Sequence, residues 1–239
     1  MNRSSDIRNK LGYAKRQWQL LMNETVRAKK ERVDATDIIH CSSHILSEAR
    51  ECYDYCANDI VAEFIVPHTC NQETVRKYQL GKLKVYFPFY ESQLKLKDSV
   101  WRELRYSKPS LHKHLLSLCQ RIAHNSQIQK TDLRYGNIPT LIDMVNKKKH
   151  DRLIAIKSEK DQEILVDGEH IKMVIPLKEQ VGKVTFYVEP SASVSLVSEF
   201  VFEFNKVEVT YFCQFAIMST EVVLNEIYAT FFNSPLISP

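Results

Sequence analysis

The chain has 239 residues, 44% of them apolar and 26% charged, with a net charge of +4; that is an ordinary globular composition, long enough for one large domain or two small ones. So small a net charge does not by itself identify a nucleic-acid binder, and six cysteines in a chain of this length do not make a disulfide framework. No uncharged run has the all-round hydrophobicity of a spanning helix, and the basic N-terminus lacks an apolar signal core, so a cytoplasmic protein with no membrane partner is expected.

The first predicted element is a helix over residues 6–32, in which Leu11, Tyr13, Ala14, Trp18, Leu21 and Met22 recur at helical spacing. Asp34 or Thr36 is placed to cap a second helix, over residues 36–65. Its stripe of Ile38, Cys41, Ile45, Ala49, Cys52, Cys56, Ile60 and Phe64 keeps a period of about 3.6 residues, and Pro67 closes it. Thiols on such a stripe read as reduced and buried. Residues 67–95 are irregular, with 83–87 a short strand or an extended loop. Helices follow over 97–106 and 110–123, then a polar connection over 125–136. Asn137 is placed to cap a helix running to about residue 149, with Pro139 in its first turn, where a missing N–H costs little.

The period then drops to two. Residues 153–156, 164–166, 171–175, 184–188 and 200–204 read as short strands, with Asp167-Gly168 as a hairpin signal. Helical spacing returns over 207–232 through Val209, Phe212, Phe215, Ser219, Val222 and Glu226. The expected fold is therefore α+β: an N-terminal helical bundle over 1–150, an antiparallel β insertion over 151–206, and a final helix over 207–232 that packs back on the bundle. Ser219 and Glu226 are expected at the margin of that seam.

Charge is unevenly spread. Residues 1–32 carry nine Lys or Arg against three acids, and residues 207–239 carry three Glu and no Lys or Arg. The asymmetry suits docking of the two ends more than a basic binding surface.

The most chemical stretch is Asn146-Lys147-Lys148-Lys149-His150-Asp151-Arg152. Asn146 and His150 stand four apart, on one helical face. A histidine there can take a proton from an attacking 2′-hydroxyl or give one to a leaving oxygen, and the amide can orient the phosphate. The lysines Lys147, Lys148 and Lys149, with Arg152, would neutralise phosphate charge. The competing reading is a polar helix end, where Lys and His suit the dipole without any function. His40, His44 and Glu48 share a second spacing compatible with metal ligation, but no completing ligand is visible, and neither metal nor cofactor is expected. Arg121 and His124, three apart, would suit a phosphate contact. No glycine-rich phosphate loop or serine elbow occurs, which disfavours nucleotide-dependent phosphoryl transfer and serine hydrolysis.

The order of elements resembles the HEPN-like helical domain found in a broad group of bacterial proteins. The resembling pieces are the second helix, Asp37-Ile38-Ile39-His40 through Glu51-Cys52-Tyr53-Asp54-Tyr55, and the helix ending Leu141-Ile142-Asp143-Met144-Val145-Asn146-Lys147-Lys148-Lys149-His150. The resemblance implies a metal-independent ribonuclease site at Asn146 and His150, RNA as partner, and a homodimer formed through the bundle. The family's arginine position falls on Val145, which implies weak or degenerate catalysis. A non-enzymatic protein-interaction module and a metal-dependent helical-bundle enzyme stand as alternatives.

Overall fold

The computed structural model describes residues 2–31, 35–89, 96, 99–128, 133–151, 154–167, 172–176 and 193–237; side chains within 29–31, 147–151 and 157–199 are outside that description. The chain is mostly helical. Seven α-helices occur among the described residues: α1 (Ser4–Glu31), α2 (Thr36–Ile60), α3 (Gln72–Gln79), α4 (Leu104–Ser107), α5 (Pro109–Ala123), α6 (Asn137–Asp151) and α7 (Val209–Phe231).

Helix α2 is the axis of the packing. Its predicted stripe is buried at Ile38, Ile45, Ala49, Cys52, Cys56 and Ile60, and burial spreads further, to Leu46, Arg50, Tyr53 and Asp59. The spread follows from its neighbours, since α1, α6 and α7 all pack against it. The expected side-chain cap is not formed: Ala35 holds the N-cap position and Thr36 is already helical, while Asp34 lies outside the described residues. After Ile60 the helix widens into a π-helical turn, Val61–Ile65, in which the Val66 N–H donates to the Val61 carbonyl at 2.9 Å. Pro67 follows in a turn.

On α1 the buried face is Ile7, Leu11, Ala14, Leu21 and Ala28. Tyr13 and Met22, counted with the predicted stripe, are exposed. Each is one step from a core residue, and a step rotates the helix by about 100°. Lys10 Nζ donates to Glu48 and Glu51 of α2 at 2.7 and 2.8 Å, and Lys15 to Glu221 of α7 at 2.6 Å. The basic first helix thus docks on acidic positions of its neighbours.

Residues 82–89 form an extended loop rather than a strand. Phe87 and Phe89 pack on the Tyr53 ring, with centroids 5.2 and 4.5 Å away. Trp101 and Leu104 are buried as their spacing predicts, but the first turn there is a 3₁₀-helix, Val100–Glu103.

Between α6 and α7 the described strands are β1 (Ile156–Asp167), β2 (Lys172–Pro176) and β3 (Ser193–Phe202), paired antiparallel in the order β2-β1-β3. This is a narrower β portion than the sequence reading expects. Residues 164–166 belong to one long strand, β1, which carries a register shift between Glu159 and Glu163. Ile154 and Ala155 precede it, and the strand expected over 184–188 lies outside the described residues. Phe202 turns into the core against Phe212, with ring centroids 5.9 Å apart.

Helix α7 starts on Glu208, whose Oε2 accepts the Tyr211 N–H at 2.7 Å. It packs along α2 and α1. Ser219 is fully buried rather than marginal; its hydroxyl and that of Thr220 bond back to the Ala216 carbonyl, which lets both sit in the core.

Candidate functional site

Helix α6 buries Ile138, Leu141, Met144 and Val145, and exposes Asn146. It remains helical through Asp151, so Asn146 and His150 stand one turn apart. The side chains of Lys147, Lys148, Lys149 and His150, and the whole of Arg152, lie outside the description. Val145 is 4% exposed, so the position at which the resemblance expects an arginine belongs to the core here.

His40 and His44 are both exposed, and the Glu48 carboxylate is engaged by Lys10. Among the described residues, no group of three or more His, Cys, Asp or Glu is arranged to hold a metal ion. His124 is exposed, and Arg121 does not pair with it but turns the other way.

That turn of Arg121 marks a cluster that the sequence does not announce. His114 and Arg121 lie two helical turns apart on α5, and both reach Glu226 on α7. Arg121 Nη1 and Nη2 each donate to Glu226 Oε2 at 3.4 Å, and His114 Nε2 is 3.9 Å from the same oxygen. Tyr135 completes the group. Its hydroxyl accepts from Arg121 Nη1 at 2.9 Å, and the guanidinium lies 4.8 Å from its ring centre.

Tyr135 arrives by a local clamp. Asn125 adopts a left-handed conformation, with φ of 48°, and its Oδ1 accepts the Gly136 N–H at 3.1 Å. A Cβ on residue 136 would come within 2.4 Å of that oxygen, so a side chain there would push Asn125 aside and break this bond. The Tyr135 N–H then donates to the Ser126 carbonyl at 2.9 Å, and the chain leads directly into α6.

Burial and environment set the charges. Desolvation lowers the His114 pKa; the Glu226 carboxylate opposes that shift and the Arg121 cation reinforces it. His114 therefore favours the neutral form near neutral pH. Its ring packs edge-on against Phe231, with centroids 5.6 Å apart. Desolvation also raises the Tyr135 phenol, so it stays protonated.

Beside this cluster a half-open pocket of about 260 Å³ is lined by Tyr135, Val222, Asn225, Glu226 and Ile237. Neither His114 nor Arg121 is part of the lining, so the pocket meets the carboxylate, with the imidazole and guanidinium behind it. The signal for this site in the sequence was slight. His114 and Arg121 are seven apart, but Glu226 is more than a hundred residues further on and lies in an apolar helix.

No protein-family model matches the chain, and no curated protein or solved structure matches it either.

Proposed function

We propose that this chain is a HEPN-like protein that engages RNA at the end of α6, with weak or degenerate ribonuclease chemistry at Asn146 and His150. One observation carries the reading: α6 continues as a helix to Asp151, with Asn146 exposed and three consecutive lysines in the next turn. That keeps positions 146 and 150 one helical turn apart, the spacing the resemblance expects, with positions 147–149 between them on the same helix. In this reading residues 151–206 are an insertion into a bundle that residues 207–232 complete, and two copies pair through that bundle in the cytoplasm. No described helix is long and apolar enough to cross a membrane.

Fluorescence anisotropy with single-stranded RNA tests the proposal. Binding should weaken steeply with salt through counterion release, and the triple change Lys147→Ala, Lys148→Ala, Lys149→Ala should weaken it for many sequences alike. His150→Ala should abolish any cleavage while leaving most of the binding. The burial of Val145 explains why catalysis is weak in this reading, since an arginine there would have to leave the core to reach a phosphate. No RNA binding at low salt would remove the proposal. The protein-interaction module would then lead, supported by the exposed apolar side chains Tyr13, Leu20 and Val26 of α1.

A further inference from the structure

The pocket over Glu226 presents a selective set of groups. Glu226 Oε2 carries all the contacts to Arg121 and His114; among the described residues none falls on Oε1. The side chain is 38% exposed, so that second oxygen is an acceptor without a partner among the described residues. The neighbouring Asn225 uses its Oδ1 to accept the Leu236 and Ile237 N–H groups at 2.8 and 3.1 Å. Those bonds fix the amide in place, and among the described residues no contact falls on its Nδ2. Adjacent positions of α7 therefore offer one acceptor and one donor to the same space. Val222 and Ile237 supply apolar walls, and Tyr135 supplies a ring.

Charge narrows the choice of ligand. An anion entering the pocket meets Glu226. A cation meets a carboxylate already matched by Arg121, with its electrostatic gain largely spent. An uncharged ligand with N–H donors avoids both penalties and satisfies the vacant acceptor. Size narrows it further, since about 260 Å³ is below the range of about 300–1,000 Å³ typical of drug-sized ligands. The space suits a single flat ring system.

We propose that this pocket binds an uncharged planar heterocycle whose edge carries two adjacent N–H donors beside a carbonyl, the pattern of a guanine base. Glu226 Oε1, through its two lone pairs, accepts from both the ring N–H and the exocyclic amine, the Asn225 amide donates to the carbonyl, and Val222 and Ile237 cover the ring faces. This is recognition of an unpaired base by its pairing edge, with apolar groups against the ring. It does not rest on the RNA reading of α6, because a free nucleoside and an unpaired base in a strand present the same edge.

Chemical-shift titration of the full chain with guanosine, inosine and adenosine tests it. Guanosine should shift the amides of residues 222–226 saturably; inosine, which lacks the exocyclic amine, should bind at least tenfold more weakly, and adenosine should not bind at that site. Glu226→Gln should weaken guanosine at least tenfold. Val222→Trp, which fills the pocket while leaving the Arg121 and Glu226 side chains unaltered in sequence, should abolish binding and keeps the test valid should Glu226→Gln unfold. Competition by a guanine-containing RNA hexamer but not by oligouridine would assign the base to a strand; guanosine binding without that competition would assign a free nucleoside. Equal binding of adenosine, no saturable guanosine shifts up to millimolar concentration, or indifference to Val222→Trp would overturn the proposal. A chain that binds RNA through Lys147–Lys149 yet fails these tests would leave the α6 reading intact.

Discussion

Helix α7 carries two polar junctions within one turn, on opposite sides, and they are built to different tolerances. On the α2 side the Tyr228 hydroxyl donates to Asp59 Oδ2 at 2.6 Å, and the Arg3 backbone N–H donates to the same oxygen, also at 2.6 Å. Asp59 is 5% exposed. On the α5 side the contacts to Glu226 are 3.4, 3.4 and 3.9 Å, all to one oxygen, and the carboxylate is far more open. A buried carboxylate without its donors is costly, so Asp59 is held by two short bonds to Oδ2, with Arg3 Nε 3.9 Å from Oδ1, and acts as a pin between α1, α2 and α7. Glu226 is half in water and can leave an oxygen unused. A tight junction holds the fold, and a loose one beside a pocket is free to serve a ligand.

The contrast breaks first at Asp59. Asp59→Ala strands the Tyr228 hydroxyl and the Arg3 N–H, and should lower unfolding stability in urea by about 3 kcal/mol. Tyr228→Phe removes one charge-assisted bond and leaves the other, so the expected loss is about 2 kcal/mol. Calorimetry on the pair and on the double variant should show strong non-additivity, because both changes remove the same bond. On the other side, Glu226→Gln should cost less than about 1 kcal/mol, as partly exposed ion pairs do. An equal loss at the two sites would show that the bond lengths misrepresent their tolerances.

The smallest effect is one of pH. Burial lowers the His114 pKa from the ordinary 6.5. Between that lowered value and 6.5 the unfolded chain binds a proton that the folded chain excludes, so stability rises with pH in this window and falls as pH drops below 6.5. Thermal melts across that range should show the slope, and His114→Gln should flatten it. The Asp59 junction contains no histidine, so Tyr228→Phe should shift the whole curve without removing this feature.

The two junctions also show what a sequence makes legible. The stripe from Ile38 to Ile60 could be read because each residue needs only its own helix to be placed. The return of α7 could be read for the same reason, from Phe212 and Phe215. Tyr13, Met22 and Ser219 were misplaced because a periodic pattern does not say how many neighbours surround a helix, and a serine that bonds to its own backbone is tolerated deep inside. The partners of Asp59 and Glu226 were both hidden, although Glu226 sits partly exposed at the margin of the α7 seam, as expected. Each depends on partners from distant segments: Arg3 and Tyr228 for one, Arg121, His114 and Tyr135 for the other. The helical spacing of positions 146 and 150 could be read because it is local to α6. The Asn125–Gly136 clamp that delivers Tyr135 looked like a plain polar connection, since nothing in its composition specifies a left-handed asparagine facing a glycine.

The π-helical turn at Val61–Ile65 has a consequence for how the chain tolerates changes in length. A helix advances by about 100° per residue, so a turn holding one residue too many rotates everything after it by that amount relative to everything before. Here the rotation lies between Asp59, which pins the chain, and Phe64, whose ring packs 5.1 Å from Phe232. Deleting the exposed Glu63 would let the turn close into ordinary α bonding without a break in the helix, but Phe64 would swing off Phe232 and the path toward Pro67 would change direction. The wide turn therefore works as a one-residue phase adjuster, absorbing an insertion that a regular helix would have had to expel as a loop.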